Sequence, residues 1–308
     1  LAVRLSRFKA TPLPPPMQRA LIERAAAVCE LSAERVKIKQ RPERGWDSAE
    51  HYPPHVYLEM CGLRQEVEHA VEEDPPLGEA LLLIFSSLVI KASQQRAETD
   101  VNRVERRIGR GQVTRWFYAK AEEVARLHAA LWQRLPEPKK EVPPPLVLDG
   151  DTRSLLSERN LPLMARSVDL MITSPPYLGT YDYAGNHARR FAWLNIDPGP
   201  VFRGEMAARR HGQKIPLPKL VAQHQRDTHA WMYAVGRLLK PGGRIYVLVG
   251  DSVVAGQALR GDDPIRISAE KSGLRFVARV AAERPTYYRA ESAAPRLEHL
   301  LAFEQPTS

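Results

Sequence analysis

The run Thr173-Ser174-Pro175-Pro176-Tyr177 places a hydroxyl, two rigid rings and a phenol side by side, directly after the apolar run Val168-Asp169-Leu170-Met171-Ile172. Short apolar runs containing β-branched residues predict a buried strand, and the prolines end it. A polar residue and an aromatic ring are then held on a stiff turn at a strand's carboxyl end, where open α/β sheets place their ligands. A plainer role is open as well: Pro-Pro as a strand stop, with Tyr177 as a surface anchor.

Two segments carry clustered positive charge. Arg103, Arg106, Arg107, Arg110, Arg115 and Lys120 surround Trp116 and Phe117, a mixture that suits phosphate contacts and stacking on bases. Trp116 and Phe117 can equally be core residues of the helix they begin, and the charges a solvated face. Arg203, Arg209, Arg210 and Lys214 form a second patch in the loop after the Pro-Pro turn. Tyr181, Asp182 and Tyr183 either line a ligand pocket or pack that loop. His187 is expected to cap or pack in the helix that follows.

The elements that position these residues fall into two kinds. Met17 to Val36, Val56 to Glu73, Gly78 to Ala92 and Arg115 to Leu135 have helical periodicity, with Asp74-Pro75-Pro76 between the second and third. Pro136 to Pro145 is a proline-rich linker. From Leu146 the pattern changes to alternating strands and helices. The expected strands are Leu146–Leu148, Val168–Thr173, Arg244–Val249, Leu274–Val280 and His299–Phe303, with helices at 154–165, 186–194, 220–239 and 264–271 between them. This alternation implies an α/β fold, a doubly wound, mostly parallel sheet whose last two strands close it as an antiparallel edge. The Gly250-Asp251-Ser252 step ends one strand and either borders the pocket or caps a helix.

Composition sets outer bounds. A chain of 308 residues, 44% hydrophobic and 26% charged, has an ordinary globular make-up. Its net charge of +9 favours a polyanionic partner. Cys29 and Cys61 supply neither a disulfide framework nor zinc-ligand spacing, so they are expected to be reduced packing residues of a cytoplasmic protein, and no metal site is expected. No signal peptide is visible. The most apolar stretch, Ala80 to Ile90, is interrupted by Ser86-Ser87 and too short to span a bilayer, so a buried helix and no membrane partner are expected.

The Ser174-Pro175-Pro176-Tyr177 motif resembles the signature of S-adenosyl-L-methionine-dependent amino methyltransferases, which methylate exocyclic base amines in DNA. The resemblance implies a Rossmann-like methyltransferase sheet over residues 146–308. Residues 1–12 would be a helix of that fold and 13–145 a mainly helical insertion for target recognition. Leu238-Leu239-Lys240-Pro241-Gly242-Gly243 is similar to the helix-to-strand turn of these enzymes, although glycine after any helix explains it almost as well. Gly150-Asp151-Thr152-Arg153 is similar to their Gly-Asp-Ala-Arg-type segment. This makes Asp151, with Gly150 and Thr173, the cofactor-binding candidates, while a helix N-cap is the competing role for Asp151.

In the resemblance, the Ser174 hydroxyl and Pro175 carbonyl accept hydrogen bonds from the target amine, Pro176 stiffens the turn, and Tyr177 stacks on a base flipped out of the duplex. Serine in the first position leans towards cytosine N4, with adenine N6 as the sister activity. Double-stranded DNA is the implied partner, contacted by Arg107, Arg110, Arg115, Trp116, Lys120, Arg209 and Arg210, and a cognate restriction endonuclease would accompany a restriction-modification system. The family's glycine-rich cofactor loop has no counterpart here; Gly109-Arg110-Gly111 lacks a preceding strand. The sheet is therefore expected to be incomplete at its N-terminal side and the chain to be a fragment. RNA guanine-N2 methylation, and a truncated non-catalytic nucleic-acid binder, are the rival functions.

Overall fold

The structure is a computed structural model, and it describes residues 1–38, 45–98, 100–137, 142–143, 145–155, 165–283 and 296–307. The chain divides into two compact units, Leu1–Leu148 with Gly185–Gly199, and Asp149–Ala184 with Pro200–Ser308.

The first unit is helical. It contains α1 (Ala2–Ala10), α2 (Pro15–Lys37), α3 (Pro54–Glu73), α4 (Pro75–Ala92), a small hairpin β1 (Gln95–Ala97) and β2 (Asp100–Arg103), and α5 (Gln112–Gln133). Proline opens α2, α3 and α4 at positions where its missing N–H costs nothing. Asp74 caps α4 by accepting from the Leu77 N–H at 3.2 Å. Helix α4 is long and apolar enough to cross a membrane, but its Leu81, Ile84, Phe85, Leu88 and Val89 lie buried in this unit's core. Leu1 and Phe8 of the N-terminal segment pack on the same core, so α1 sits with the helices. The β1–β2 hairpin is a β element, among the described residues, in a region expected to be mainly helical.

After the second unit's first strand, β3 (Val168–Thr173), the chain runs through α6 (Tyr183–Asn186) back into the first unit as α7 (Ala188–Leu194). There Trp193 is fully buried among Trp46, Tyr52 and Phe85, its indole N–H donating to the Tyr52 hydroxyl at 2.7 Å. The second unit resumes with α8 (Gly199–Gly204), α9 (Leu217–Leu238), β4 (Leu239–Gly250), β5 (Ser252–Val254), β6 (Gln257–Leu259), α10 (Asp262–Lys271), β7 (Arg275–Glu283) and β8 (Leu297–Glu304).

Its principal sheet has the order β3-β4-β8-β7. Strands β3 and β4 are parallel, while β8 runs antiparallel to both β4 and β7. The molecule is thus a mixed α/β protein with a mixed sheet. The antiparallel final pair agrees with the sequence expectation, and the mostly parallel sheet does not hold among the described strands. Leu146–Leu148 forms no strand, because it has no partner strand to pair with among the described residues. The expected helix at 154–165 lies mostly outside the described residues. Lys240–Gly243 is no simple turn: it is absorbed into β4 as an irregularity, where Val168 pairs with Leu239 but Leu170 already pairs with Arg244.

One face of the sheet, formed by Ile245, Val247, Val249, Leu301 and Phe303, is covered by Trp231, Met232 and Val235 of α9 and Ile265 and Ala269 of α10. On the other face Leu170, Ile172, Leu248, Val280 and Leu300 are exposed, Ile172 by 74% and Val280 by 67%.

Candidate functional site

Strand β3 delivers Thr173 in register with Val247 of β4, and the chain turns at the prolines. Ser174 is exposed, Pro175 buried and Pro176 half-buried. The Thr180 N–H donates to the Tyr177 carbonyl at 3.1 Å and closes the turn. Gly179 has φ +65°, and a Cβ there would stand 2.6 Å from Val254 Cγ2, so both conformation and space require glycine. Its N–H donates to the Ala207 carbonyl at 2.9 Å.

The loop that follows is tied to the segment around Glu205. The Glu205 carboxylate accepts from the backbone N–H groups of Tyr183 at 2.6 Å and Ala184 at 3.2 Å. Arg210 bridges Asp182 and Glu205, each at 2.5 Å, and lies over the Phe202 ring. Burial works to lower the Arg210 pKa, but Glu205 and Asp182 outweigh it and the net shift is upward. Arg210 is therefore a structural tie. Arg209 is exposed, and its side chain makes no ion pair among the described residues.

Tyr177 is only 6% exposed. Its ring centroid lies 6.0 Å from that of Tyr181, and its hydroxyl donates to Glu298 Oε1 at 2.9 Å. Ser174 Oγ lies 3.4 Å from the same hydroxyl. Tyr183, 40% exposed, is the more accessible ring of the loop.

The carboxyl end of β4 carries a second cluster. Asp251 accepts from Gly261 N–H at 2.9 Å and from Leu297 N–H at 3.1 Å, and its Oδ1 lies 2.9 Å from His299 Nε2. A Cβ at Gly261 would meet the Gly250 carbonyl at 2.3 Å, so the loop closes this tightly only with glycine. Asp262 is fully buried against Arg260 and Arg279. Burial alone would raise its carboxyl, but the two guanidinium groups overcome that and hold it at about 2. Asp251, Asp262 and His299 have metal-like spacing, with ligand atoms within 4.8 Å. Their oxygens are already engaged by arginines and backbone N–H groups, so the cluster fits a structural tie better than a cation.

Asp151 accepts from the Arg153 N–H at 2.9 Å as the cap of a 3-10 turn, and its carboxylate pairs with the Arg153 side chain. That contact holds its pKa low. Arg153 reaches onward to Asp227 at 3.0 Å and the Gly204 carbonyl at 2.8 Å. Gly150 is exposed beside it. On the inner side of α9, His224 Nδ1, Thr228 Oγ1 and Trp231 Nε1 are buried without hydrogen-bond partners among the described residues. Burial pushes the His224 imidazole down to about 4, against a weaker opposing pull from Asp227.

In the helical unit Arg107 and Arg110 are exposed and unpaired among the described residues. Arg115 is exposed and donates to Gln112 at 2.9 Å, and Lys120 pairs with Glu123 at 2.6 Å. Trp116 is half-buried beneath the Lys91 ammonium, 4.1 Å from its ring centroid, and Phe117 is a core residue. Arg106 donates to backbone carbonyls of Gln95 and Arg96 and serves the hairpin. Glu298, His299 and the α9 stripe escaped sequence reasoning; an acidic residue opening an apolar strand was the one available signal.

No protein-family profile matches the chain, and no curated protein sequence matches it. Among solved structures, it is similar to a candidate DNA modification methylase from Thermus thermophilus in three crystal structures, one complexed with S-adenosyl-L-methionine. Identities are 20%, 24% and 22%, and TM-scores 0.32, 0.30 and 0.33. The match spans about half of each partner, 52% of this chain and 52–54% of theirs. A SAM-dependent methyltransferase from Methanosarcina mazei is 9% identical with a TM-score of 0.27, over 60% of this chain and 79% of that one.

Proposed function

We propose that this chain is a cytoplasmic S-adenosyl-L-methionine-dependent methyltransferase acting on an exocyclic base amine in double-stranded DNA, at cytosine N4, with adenine N6 as the alternative. The observation that carries this reading is the Ser174-Pro175-Pro176-Tyr177 turn at the carboxyl end of β3, with Ser174 exposed and the loop behind it tied down. In fold terms, the reading makes the β3–β4 parallel pair part of a Rossmann-like sheet.

A base amine is a poor nucleophile because its lone pair is delocalised into the ring. Acceptors at Ser174 Oγ and the Pro175 carbonyl draw on its N–H groups, localise that pair and stabilise the charge that develops on nitrogen. The cofactor supplies an electrophilic methyl group on sulfonium sulfur. Gly150, Asp151 and Thr173 would hold it, with the exposed Asp151 carboxylate giving up part of its contact with Arg153 to accept a cofactor N–H. Exposed Arg107, Arg110, Arg115 and Arg209 would meet phosphates. A companion restriction endonuclease fits the same reading.

The test is transfer of labelled methyl from S-adenosyl-L-methionine to unmethylated DNA, with tRNA in parallel and the products digested to nucleosides. Labelled N4-methylcytosine is expected. N6-methyladenine selects the sister activity, and labelled N2-methylguanine from tRNA moves the substrate to RNA. Nucleic-acid binding without any label identifies a non-catalytic binder and overturns the proposal.

A further inference from the structure

Glu298 reaches the signature turn from β8, 121 residues beyond Tyr177. A carboxylate only accepts, so in the 2.9 Å contact the phenol is the donor. With its proton turned to Glu298, the Tyr177 oxygen meets Ser174 Oγ, 3.4 Å away, as an acceptor. The proton shared in that second contact then belongs to Ser174. The distance is longer than the roughly 2.7–2.8 Å of a strong hydroxyl pair, so the contact orients the serine rather than binding it tightly. An exposed serine whose proton points inward presents lone pairs outward.

We propose that Glu298 is a positioning residue which acts through Tyr177 to hold Ser174 as a hydrogen-bond acceptor for the target amine. This rests on the amine-methylation reading above. In that reaction the nitrogen–methyl bond forms as the sulfur–methyl bond breaks, positive charge grows on the nitrogen, and the surplus proton leaves it for solvent. An acceptor beside the nitrogen stabilises this charge. A serine turned to donate would instead compete for the lone pair that must attack.

Glu298 is well placed for the task because its strand is fixed on both sides. It pairs with Gly250 of β4 and Ala282 of β7. Its neighbours Leu297 and His299 are both engaged by Asp251, through the Leu297 N–H at 3.1 Å and the His299 Nε2 at 2.9 Å. A side chain on a strand bracketed in this way is a rigid support.

The experiment compares Glu298→Met, Glu298→Gln, Tyr177→Phe and the Glu298→Met/Tyr177→Phe double variant in methyl transfer to DNA. Glu298→Met is expected to lower kcat about tenfold with KM for S-adenosyl-L-methionine unchanged, and Glu298→Gln, which keeps an acceptor, to recover part of the loss. The double variant should be no worse than either single one, because both changes cut the same relay. Independently of activity, the 19F resonance of 3-fluorotyrosine installed at position 177 should shift in Glu298→Met. Additive losses in the double variant, or an unmoved resonance, overturn the proposal. An active wild type with unaffected Glu298 variants overturns it alone, whereas a wild type that methylates no base overturns the underlying reading as well.

Discussion

His224 offers a direct test of how the second unit is packed. Its imidazole is buried on the inner side of α9, and burial holds its pKa at about 4, against 6.5 in an unfolded chain. Because the folded pKa lies below the unfolded one, the unfolded chain takes up this proton first as pH falls. The associated stability is fully present above about pH 6.5 and is lost progressively down to about pH 4. At about 1.4 kcal/mol for each tenfold difference in proton affinity, the full loss is about 3 kcal/mol. Between about pH 8 and pH 5 it comes to about 2 kcal/mol. Urea unfolding followed by circular dichroism at both pH values, for wild type and His224→Gln, isolates this contribution. The glutamine does not titrate, so carboxylates and other histidines contribute equally to both proteins and cancel. The fall in stability from pH 8 to pH 5 is expected to be about 2 kcal/mol smaller in the variant. Equal falls in the two proteins, or an NMR titration placing His224 near its ordinary pKa, would refute the reasoning.

Other changes have equally definite outcomes. Glu59, a buried carboxylate of α3, accepts from the Val113 N–H at 3.1 Å in the first turn of α5, and burial raises its pKa. Glu59→Ala should cost about 1–2 kcal/mol in thermal unfolding through the lost cap. A raised carboxyl pKa means stability falls as pH rises through it, so the advantage of Glu59→Gln over wild type should grow with pH. Asp262→Asn should lower stability at neutral pH by about 2 kcal/mol, since Arg260 and Arg279 lose their charged partner. The wild-type advantage should disappear as pH falls from 3.8 towards about 2, where Asp262 itself protonates. Arg209→Ala should leave thermal unfolding unchanged and reduce the salt dependence of DNA binding by about one phosphate contact, measured by fluorescence anisotropy. Arg210→Ala should destabilise the fold instead, because it unties Asp182 and Glu205.

How far the sequence reached depended on whether the deciding contacts were local. The strand before the Pro-Pro turn, the Asp74-Pro75-Pro76 break and the buried α4 were legible, because apolar periodicity and proline act over a few residues. The β1–β2 hairpin was not: its strands are short and mostly polar, and Arg106 stabilises it through backbone carbonyls that no side-chain pattern announces. Leu146–Leu148 looked like a strand because apolar triplets do, yet a strand exists only where a neighbour pairs with it. At the site, the position of Ser174 on a turn after the strand was legible, because the prolines act locally. Glu298, which accepts from the Tyr177 hydroxyl, is a partner whose distance along the chain hides it from any motif. Arg209 and Arg210 were indistinguishable as letters; Asp182 and Glu205 separate them.

Trp231, which packs over the sheet with its indole N–H unpartnered among the described residues, has a spectroscopic consequence. The chain's five tryptophans divide unevenly: Trp46, Trp116, Trp132 and Trp193 belong to the helical unit, and Trp231 alone to the sheet unit. An indole shielded from water and lacking a hydrogen bond emits at short wavelength, and its emission moves to the red once water reaches it. With the other four replaced by phenylalanine, the protein would carry its own optical gauge of the unit that bears the Ser174 turn. The colour of its fluorescence would then report when that unit opens, whatever the helices are doing.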